Sequence, residues 1–186
     1  MAITPRVKEI LSWYESDNAG TRANLYRLLN TGTLAGTGKL VILPVDQGFE
    51  HGPARSFAKN PAAYDPRYHF EMAIDAGLNA YASVLGMLEA GADTFAGQVP
   101  LILKVNGRSD VPPSDDALSS TNSSVEDAVR LGADAVGYTM YLGSPLQTDD
   151  LHQLKGVRED CDRYGMPLVV WAYPRGSAID GKGGRD

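Results

Sequence analysis

The chain has 186 residues, a length that suits one domain and is small for two. Apolar residues make up 43% of it and charged residues 22%, a balance typical of globular proteins that argues against a disordered or fibrous chain. With 17 basic and 23 acidic side chains, the net charge of −6 argues against a surface for nucleic acid.

The rarer residue types argue against several kinds of site. A single cysteine, Cys161, allows neither an internal disulfide nor a cysteine-based zinc site. The three histidines follow no metal-binding spacing, so we predict that the protein uses neither a metal nor another cofactor. No segment approaches the roughly 18 apolar residues of a membrane span, and the first residues lack an apolar leader-like run. We therefore expect a cytoplasmic protein that does not contact membranes.

The segment 1–39 predicts helices. Two sets of apolar residues recur at helical spacing: Val7, Ile10, Leu11 and Tyr14, then Leu25, Leu28 and Leu29. We interpret the segment as a helical extension that caps the bottom of the domain that follows. An arm that contacts another subunit is the alternative.

Five strands and the helices between them are predicted from residue 40 onward. Apolar, β-branched runs indicate buried strands at 40–45, 100–105 and 167–173, and weaker runs indicate strands at 79–85 and 134–141. Amphipathic segments predict helices at 66–77, 123–133 and 149–165. The alternation of strand and helix predicts a parallel sheet with roughly 32 residues per unit.

This spacing fits an eight-stranded α/β barrel or an open doubly wound sheet. No dinucleotide-binding fingerprint follows the first strand. The Gly-rich ending at 176–186 directly follows a strand, where the loop of a barrel would continue into a helix. For 40–186 we therefore favour a TIM barrel of the (β/α)8 type, present here as about five β/α units, over a five-stranded open sheet. The polar stretch at 106–124 is predicted to be a mobile or functional loop.

Polar side chains directly follow the first predicted strand. In parallel α/β folds, reactive groups lie at the carboxyl ends of strands, and Asp46, Gln47, Glu50 and His51 stand at this position. An aspartate there often only caps the next element. Two acids, an amide and an imidazole in so short a stretch exceed what a cap requires.

The third and fifth strands carry further candidates. Lys104 lies among apolar residues, where it either pairs with an acid or takes part in chemistry. Trp171 and Tyr173 alternate along their strand and therefore share a face, which Arg175 extends if the strand geometry continues. An aromatic platform, a phenol and a guanidinium suit a polyhydroxylated, phosphorylated ligand.

Four segments together resemble a known family, the class I fructose-bisphosphate aldolases of the bacterial and archaeal DhnA type. They are NTGTLAGTGKLVILPVDQGFEHGP, LILKVNG, DAVGYTMYLGS and PLVVWAYPRGSA. The resemblance implies a (β/α)8 barrel that assembles into homo-oligomers. It also implies cleavage of a sugar phosphate, fructose 1,6-bisphosphate, into dihydroxyacetone phosphate and glyceraldehyde 3-phosphate without metal.

The resemblance assigns roles residue by residue. Catalytic roles are implied for Asp46, the acid after the first strand, and for Tyr173, the proton donor. Substrate-binding roles are implied for Gln47, His51, Trp171 and Arg175. The family often has histidine where this chain has Gln47.

The nucleophile is expected outside this chain. The resemblance implies a Schiff-base lysine on the sixth barrel strand, and the sequence ends before that strand. Lys104 belongs to a different strand and Lys182 to a loop, so neither matches the position of the nucleophile. We therefore expect the 186-residue chain to be inactive alone.

Other functions fit the same residues. One is another aldolase or thiolase of this family that acts on a different phosphorylated ketose. A second is a non-catalytic half-barrel that binds sugar phosphate or associates with itself through its open strand edges. A third is an isomerase-like barrel that binds phosphate without covalent chemistry.

Overall fold

A computed structural model describes residues 3–52, 55–109, 111 and 118–180. Lys182, part of the 106–124 stretch and most of the Gly-rich ending lie outside the described residues.

The five predicted strands are present, with ends close to those predicted, and they form one parallel sheet. Its strands are β1 (Ile42–Val45), β2 (Ala80–Val84), β3 (Leu101–Lys104), β6 (Ala135–Tyr141) and β7 (Leu168–Tyr173). The two remaining strands, β4 (Asn106–Gly107) and β5 (Ser120–Thr121), form a separate hairpin. The order across the sheet is β1-β2-β3-β6-β7, so strands of this sheet that follow one another along the chain are also neighbours in space. This arrangement confirms the predicted half-barrel, because each helical crossover moves the chain one strand further round.

The helices lie mainly between the strands. They are α1 (Pro5–Ser12), α2 (Ala19–Leu29), α3 (Pro66–Asp75), α4 (Leu85–Glu89), α5 (Val125–Arg130), α6 (Gln147–Tyr164) and α7 (Ser177–Asp180), with 3-10 turns at Arg55–Phe57 and Pro61–Tyr64. A capping box between Ser124 and Asp127 begins α5. The left-handed Gly165 ends α6, as predicted from its position after the last periodic residue. None of the helices in the described part is long and apolar enough to cross a membrane.

The 106–124 stretch contains an element that the sequence did not predict. Asn106–Gly107 (β4) pairs antiparallel with Ser120–Thr121 (β5). Strands of two residues show no periodicity, which explains why the pattern indicated only a loop.

The sheet buries a different set of residues on each face. The outer face packs larger side chains such as Tyr81, Leu103 and Tyr138 against the helices. The inner face carries small residues, including Ala82 and Ala135, and Leu28 of α2 packs among them. The same face also carries Ile102 and the partly buried Trp171, so it forms a packed core. The division of the chain at residue 39 stays a prediction.

Candidate active site

Lys104 is the last residue of β3 and forms the centre of the site. Its side chain is only 2% exposed. The Nζ atom lies 2.7 Å from Oδ1 of Asp46, the residue that directly follows β1, and 3.6 Å from Oε1 of Glu50. Since a buried ammonium needs charged partners, the two carboxyl groups account for a lysine in an apolar strand.

Lys104 also contacts the opposite edge of the sheet. Its Nζ lies 5.7 Å from the centre of the Trp171 ring on β7, a cation–π contact. Gly137 of β6 lies between the two strands, in register with Lys104 and with Val169. One lysine therefore joins residues from β1 and β7, the two edge strands, as the curvature of a half-barrel allows.

The turn after β1 places its polar residues in different surroundings. The backbone N–H of Glu50 donates to the Asp46 carbonyl at 2.9 Å, which closes the turn, and the Glu50 side chain is buried. His51 has a left-handed φ of 60°, and its side chain is 58% exposed with Nε2 3.9 Å from Oε2 of Glu50. Gln47 is half-buried and forms a backbone bridge with Glu50.

Burial is the main electrostatic influence on Glu50. It raises the pKa of the carboxyl group above its ordinary value, and the negative charge of Asp46 acts in the same direction. Lys104 is the strongest influence that lowers this pKa, followed by His51 and a hydrogen bond from the Arg108 backbone N–H. Glu50 therefore holds a proton more readily than an exposed glutamate does.

The end of β7 forms a second part of the site. Tyr173 stacks on Tyr141, its register partner on β6, with ring centres 5.9 Å apart. The guanidinium of Arg175 lies 4.7 Å from the Tyr173 ring, and that of Arg108 lies 5.6 Å from the Tyr141 ring. Burial raises the pKa of Tyr141, whereas Tyr173 is partly exposed. Of the two stacked phenols, Tyr173 is the more accessible to a ligand.

A buried hydrogen-bond network supports the strand that carries Tyr141. The Asn106 amide donates to the Thr139 carbonyl at 2.7 Å and accepts from the Thr139 N–H at 2.7 Å. On the other side of β6, Asp150 accepts from the Tyr138 hydroxyl at 2.5 Å and from the Tyr141 N–H at 3.3 Å. These bonds hold β6 at its carboxyl end, where β3 no longer pairs with it.

The candidate residues from the sequence thus occupy two groups. Asp46 and Trp171 meet at Lys104, and Tyr173 meets Arg175 at the end of β7. The sequence indicates Lys104 as a residue that pairs with an acid or takes part in chemistry, and Glu50 as one member of a polar group. It indicates neither Tyr141 nor Asn106 as a site residue. The feature that these four residues share in the sequence is a charged or polar side chain that lies within an apolar strand or close to its end.

One group of side chains has the composition of a metal site. Within the described segments, ligand atoms of Asp46, Glu50 and His51 all lie within 4.8 Å of one another. Two of these residues already face the Lys104 ammonium, whose positive charge repels a second cation. The donor set therefore fits a lysine better than a metal ion, and metal-independent chemistry stays our prediction.

Comparison with known proteins places this geometry in a family. The model of the DeoC/LacD family aldolases matches residues 40–186. The chain is 44% identical over 142 residues to the class 1 fructose-bisphosphate aldolase of Thermoproteus tenax, which covers 76% of this chain and 52% of that protein. It is 38% identical over 162 residues to a probable class 1 fructose-bisphosphate aldolase of Chlamydia trachomatis, covering 87% of this chain and 47% of that protein.

A solved structure gives the same result. The chain superposes with a TM-score of 0.71 and 41% identity on an archaeal fructose-1,6-bisphosphate aldolase whose catalytic lysine is covalently bound to the carbinolamine intermediate. The match covers 81% of this chain and 57% of the archaeal one. This chain therefore spans about half the length of the relatives it matches. The resemblance predicted from the four sequence segments is confirmed, and the chain belongs to the DeoC/LacD family of aldolases.

Proposed function

We propose that this chain carries substrate-binding and proton-transfer residues of a class I fructose-bisphosphate aldolase. The reaction is the reversible cleavage of fructose 1,6-bisphosphate to dihydroxyacetone phosphate and glyceraldehyde 3-phosphate. The observation that carries the proposal is the contact of Lys104 with both Asp46 and Trp171, which gathers charged and aromatic groups at the carboxyl ends of the strands. The names of the relatives support the choice of substrate.

Two residues take the proton-transfer roles in this proposal. Tyr173 removes the proton of the C4 hydroxyl as the C3–C4 bond breaks and later returns a proton to C3. Asp46, held by Lys104, orients the substrate hydroxyls and assists the movement of protons. Both side chains are accessible to a ligand, since neither is fully buried.

The other residues bind the substrate. Arg175 supplies a positive charge beside Tyr173, and Trp171 supplies an aromatic surface beside Lys104. His51 and Gln47 contact the substrate from the turn after β1, where the exposure of the His51 side chain leaves it within reach of a ligand.

The covalent step requires a neutral lysine amine that attacks the C2 ketone and then accepts electrons as the iminium. Lys104 lies on the third strand and contacts two carboxyl groups, so we assign it to substrate binding rather than to the covalent step. We place the Schiff-base lysine on the sixth barrel strand, outside these 186 residues, and we expect the chain alone to be inactive.

We also propose that the protein is a cytoplasmic homo-oligomer whose domain begins at residue 40, where the family match begins. Within the described residues, β1 and β7 each pair with one neighbour only, so each leaves an edge free for another strand. The same open edges favour the second candidate function, a non-catalytic half-barrel that binds sugar phosphate or associates with itself.

The test begins with the intact mass of the protein made from its native gene. That protein and its Tyr173→Phe variant are then assayed for cleavage of fructose 1,6-bisphosphate. We expect cleavage by the unchanged protein and a loss of at least about 10²-fold in the variant. Tyr164→Phe is the matched control, because Tyr164 is an exposed residue at the end of α6.

Two results would contradict the aldolase proposal. One is a Tyr173→Phe variant as active as the unchanged protein. The other is a gene product of 19.9 kDa that binds dihydroxyacetone phosphate without any cleavage, which would make the half-barrel the functional form.

A further inference from the structure

Glu50 is a buried acidic residue to which the proposed reaction gives no part. It is 5% exposed, and its Oε1 atom accepts no hydrogen bond from the described residues. Buried carboxyl oxygens without such a partner are rare in folded proteins. The cation that faces this oxygen is the Lys104 ammonium, 3.6 Å away.

Two separate parts of the backbone fix the Glu50 carboxyl group. The turn after β1 is closed by the bond from the Glu50 N–H to the Asp46 carbonyl. From the other side, the hairpin approaches the carboxyl group closely, and Gly107 of β4 leaves space for it. A Cβ atom at position 107 would lie 2.8 Å from Oε1 of Glu50. The turn and the hairpin together therefore restrict the position of the Glu50 carboxyl group.

The arrangement of charges suggests what the carboxyl group does. A lysine ammonium has three N–H donors. Asp46 at 2.7 Å and Glu50 at 3.6 Å together restrict how the Lys104 ammonium can rotate, which leaves a donor in a defined direction for a ligand. With Asp46 alone, a flexible four-carbon side chain would keep more of its rotamers.

We infer that Glu50 is a positioning residue, which holds the Lys104 ammonium against Asp46 and so fixes its direction toward a ligand. The consequence for substrate binding rests on the proposed function. The contact between Glu50 and Lys104 does not, so the two can be tested separately.

The contact is tested by NMR of the native-gene protein labelled with ¹⁵N-lysine, with the Lys104 signal assigned by its loss in Lys104→Met. We expect the ammonium hydrogens of Lys104 to exchange slowly with water in the unchanged protein. They should exchange about tenfold faster in Glu50→Gln, a variant of the same shape without the charge. Glu50→Asp keeps the charge and should keep an observable signal. Asp150→Asn is the matched control, because Asp150 is equally buried but bonds to Tyr138.

The inference is overturned if Glu50→Gln leaves the Lys104 ammonium signal unchanged. It is also overturned if Asp150→Asn weakens that signal as much as Glu50→Gln does. It is also overturned if Glu50→Asp and Glu50→Gln lose the signal equally, because the charge would then not hold Lys104. A parallel titration with dihydroxyacetone phosphate should show about tenfold weaker binding to Glu50→Gln. If the unchanged protein does not bind this compound, the proposed function fails while the NMR result still decides the contact.

Discussion

Gly137 and Trp171 lie so close together that a Cβ atom on Gly137 would stand 2.7 Å from Cζ3 of Trp171. The same atom would lie 3.1 Å from Cγ of Lys104. Three neighbouring strands thus share one small space on the inner face of the sheet. The absence of a side chain at position 137 allows the indole ring and the lysine stem to occupy it together.

We expect Gly137→Ala to displace Trp171 or Lys104. Forcing an extra methyl group into a packed site costs about 1–3 kcal/mol of unfolding free energy. Gly156→Ala in α6 is the control, because nothing lies within 4 Å of its added Cβ atom. It should be stabilising by about 0.5–1 kcal/mol, since alanine favours helix over glycine. Urea unfolding measures the change in unfolding free energy of each variant, and tryptophan fluorescence reports the displacement of Trp171. A Gly137→Ala variant with unchanged stability and fluorescence would show that the packing around position 137 is looser than the distances indicate.

Stacking on Tyr141 should hold Tyr173 in place for proton transfer. Tyr141→Phe keeps the aromatic ring and should keep most of the aldolase activity. Tyr141→Leu removes a stacked pair worth about 0.5–1.5 kcal/mol and should lower kcat by about tenfold with a smaller effect on KM. Tyr164→Leu, at an exposed tyrosine on α6, controls for the loss of an aromatic residue. Equal activity of the Phe and Leu variants would argue against a role for the stack.

The sequence predicted the residues of each strand better than the contacts between strands. Alternation along β7 correctly placed Trp171 and Tyr173 on one face, because the direction of side chains in a strand follows from the backbone alone. The ion pair between Asp46 and Lys104 could not be predicted in this way. It depends on the curvature and register of strands that are distant in sequence.

The burial of Glu50 could not be predicted from the sequence for a related reason. A glutamate in a polar turn is usually exposed, and here it is covered by the hairpin that contains Gly107. The two-residue strands of that hairpin have no pattern of their own. The carboxyl ends of the predicted strands indicated the candidate site residues, the family resemblance assigned their roles, and the structure added the residues that support them.

Asn106 should be important for stability rather than for chemistry. Its side chain donates to the carbonyls of Thr139 and Ser119 and accepts from the Thr139 N–H, all of them buried. Asn106→Ala leaves these backbone groups unpaired, which should cost about 3 kcal/mol of unfolding free energy. Asn60→Ala, at an exposed residue that donates to the Tyr68 hydroxyl, should change it by less than about 0.5 kcal/mol. Equal urea midpoints for the two variants would contradict the role of Asn106 as a clamp on β6.

Glu50 should make the folded state less stable as the pH rises. Burial raises the pKa of this carboxyl group in the folded protein above its ordinary value of 4.5, so the folded state binds the proton more tightly than the unfolded state does. The resulting stabilisation is fully present below the unfolded pKa and is lost as the pH rises through the folded pKa. Glu50→Gln has no proton to lose, and its stability relative to the unchanged protein should therefore increase from pH 4 upward.

Urea unfolding of both proteins at a series of pH values measures this difference. Glu71→Gln is the control, because Glu71 is an exposed residue of α3. A difference between Glu50→Gln and the unchanged protein that stays constant with pH would mean that Lys104 fully offsets the burial of the Glu50 charge. In that case the pKa of Glu50 is the same in the folded and the unfolded state, and the pair with Lys104 is stronger than its 3.6 Å separation indicates.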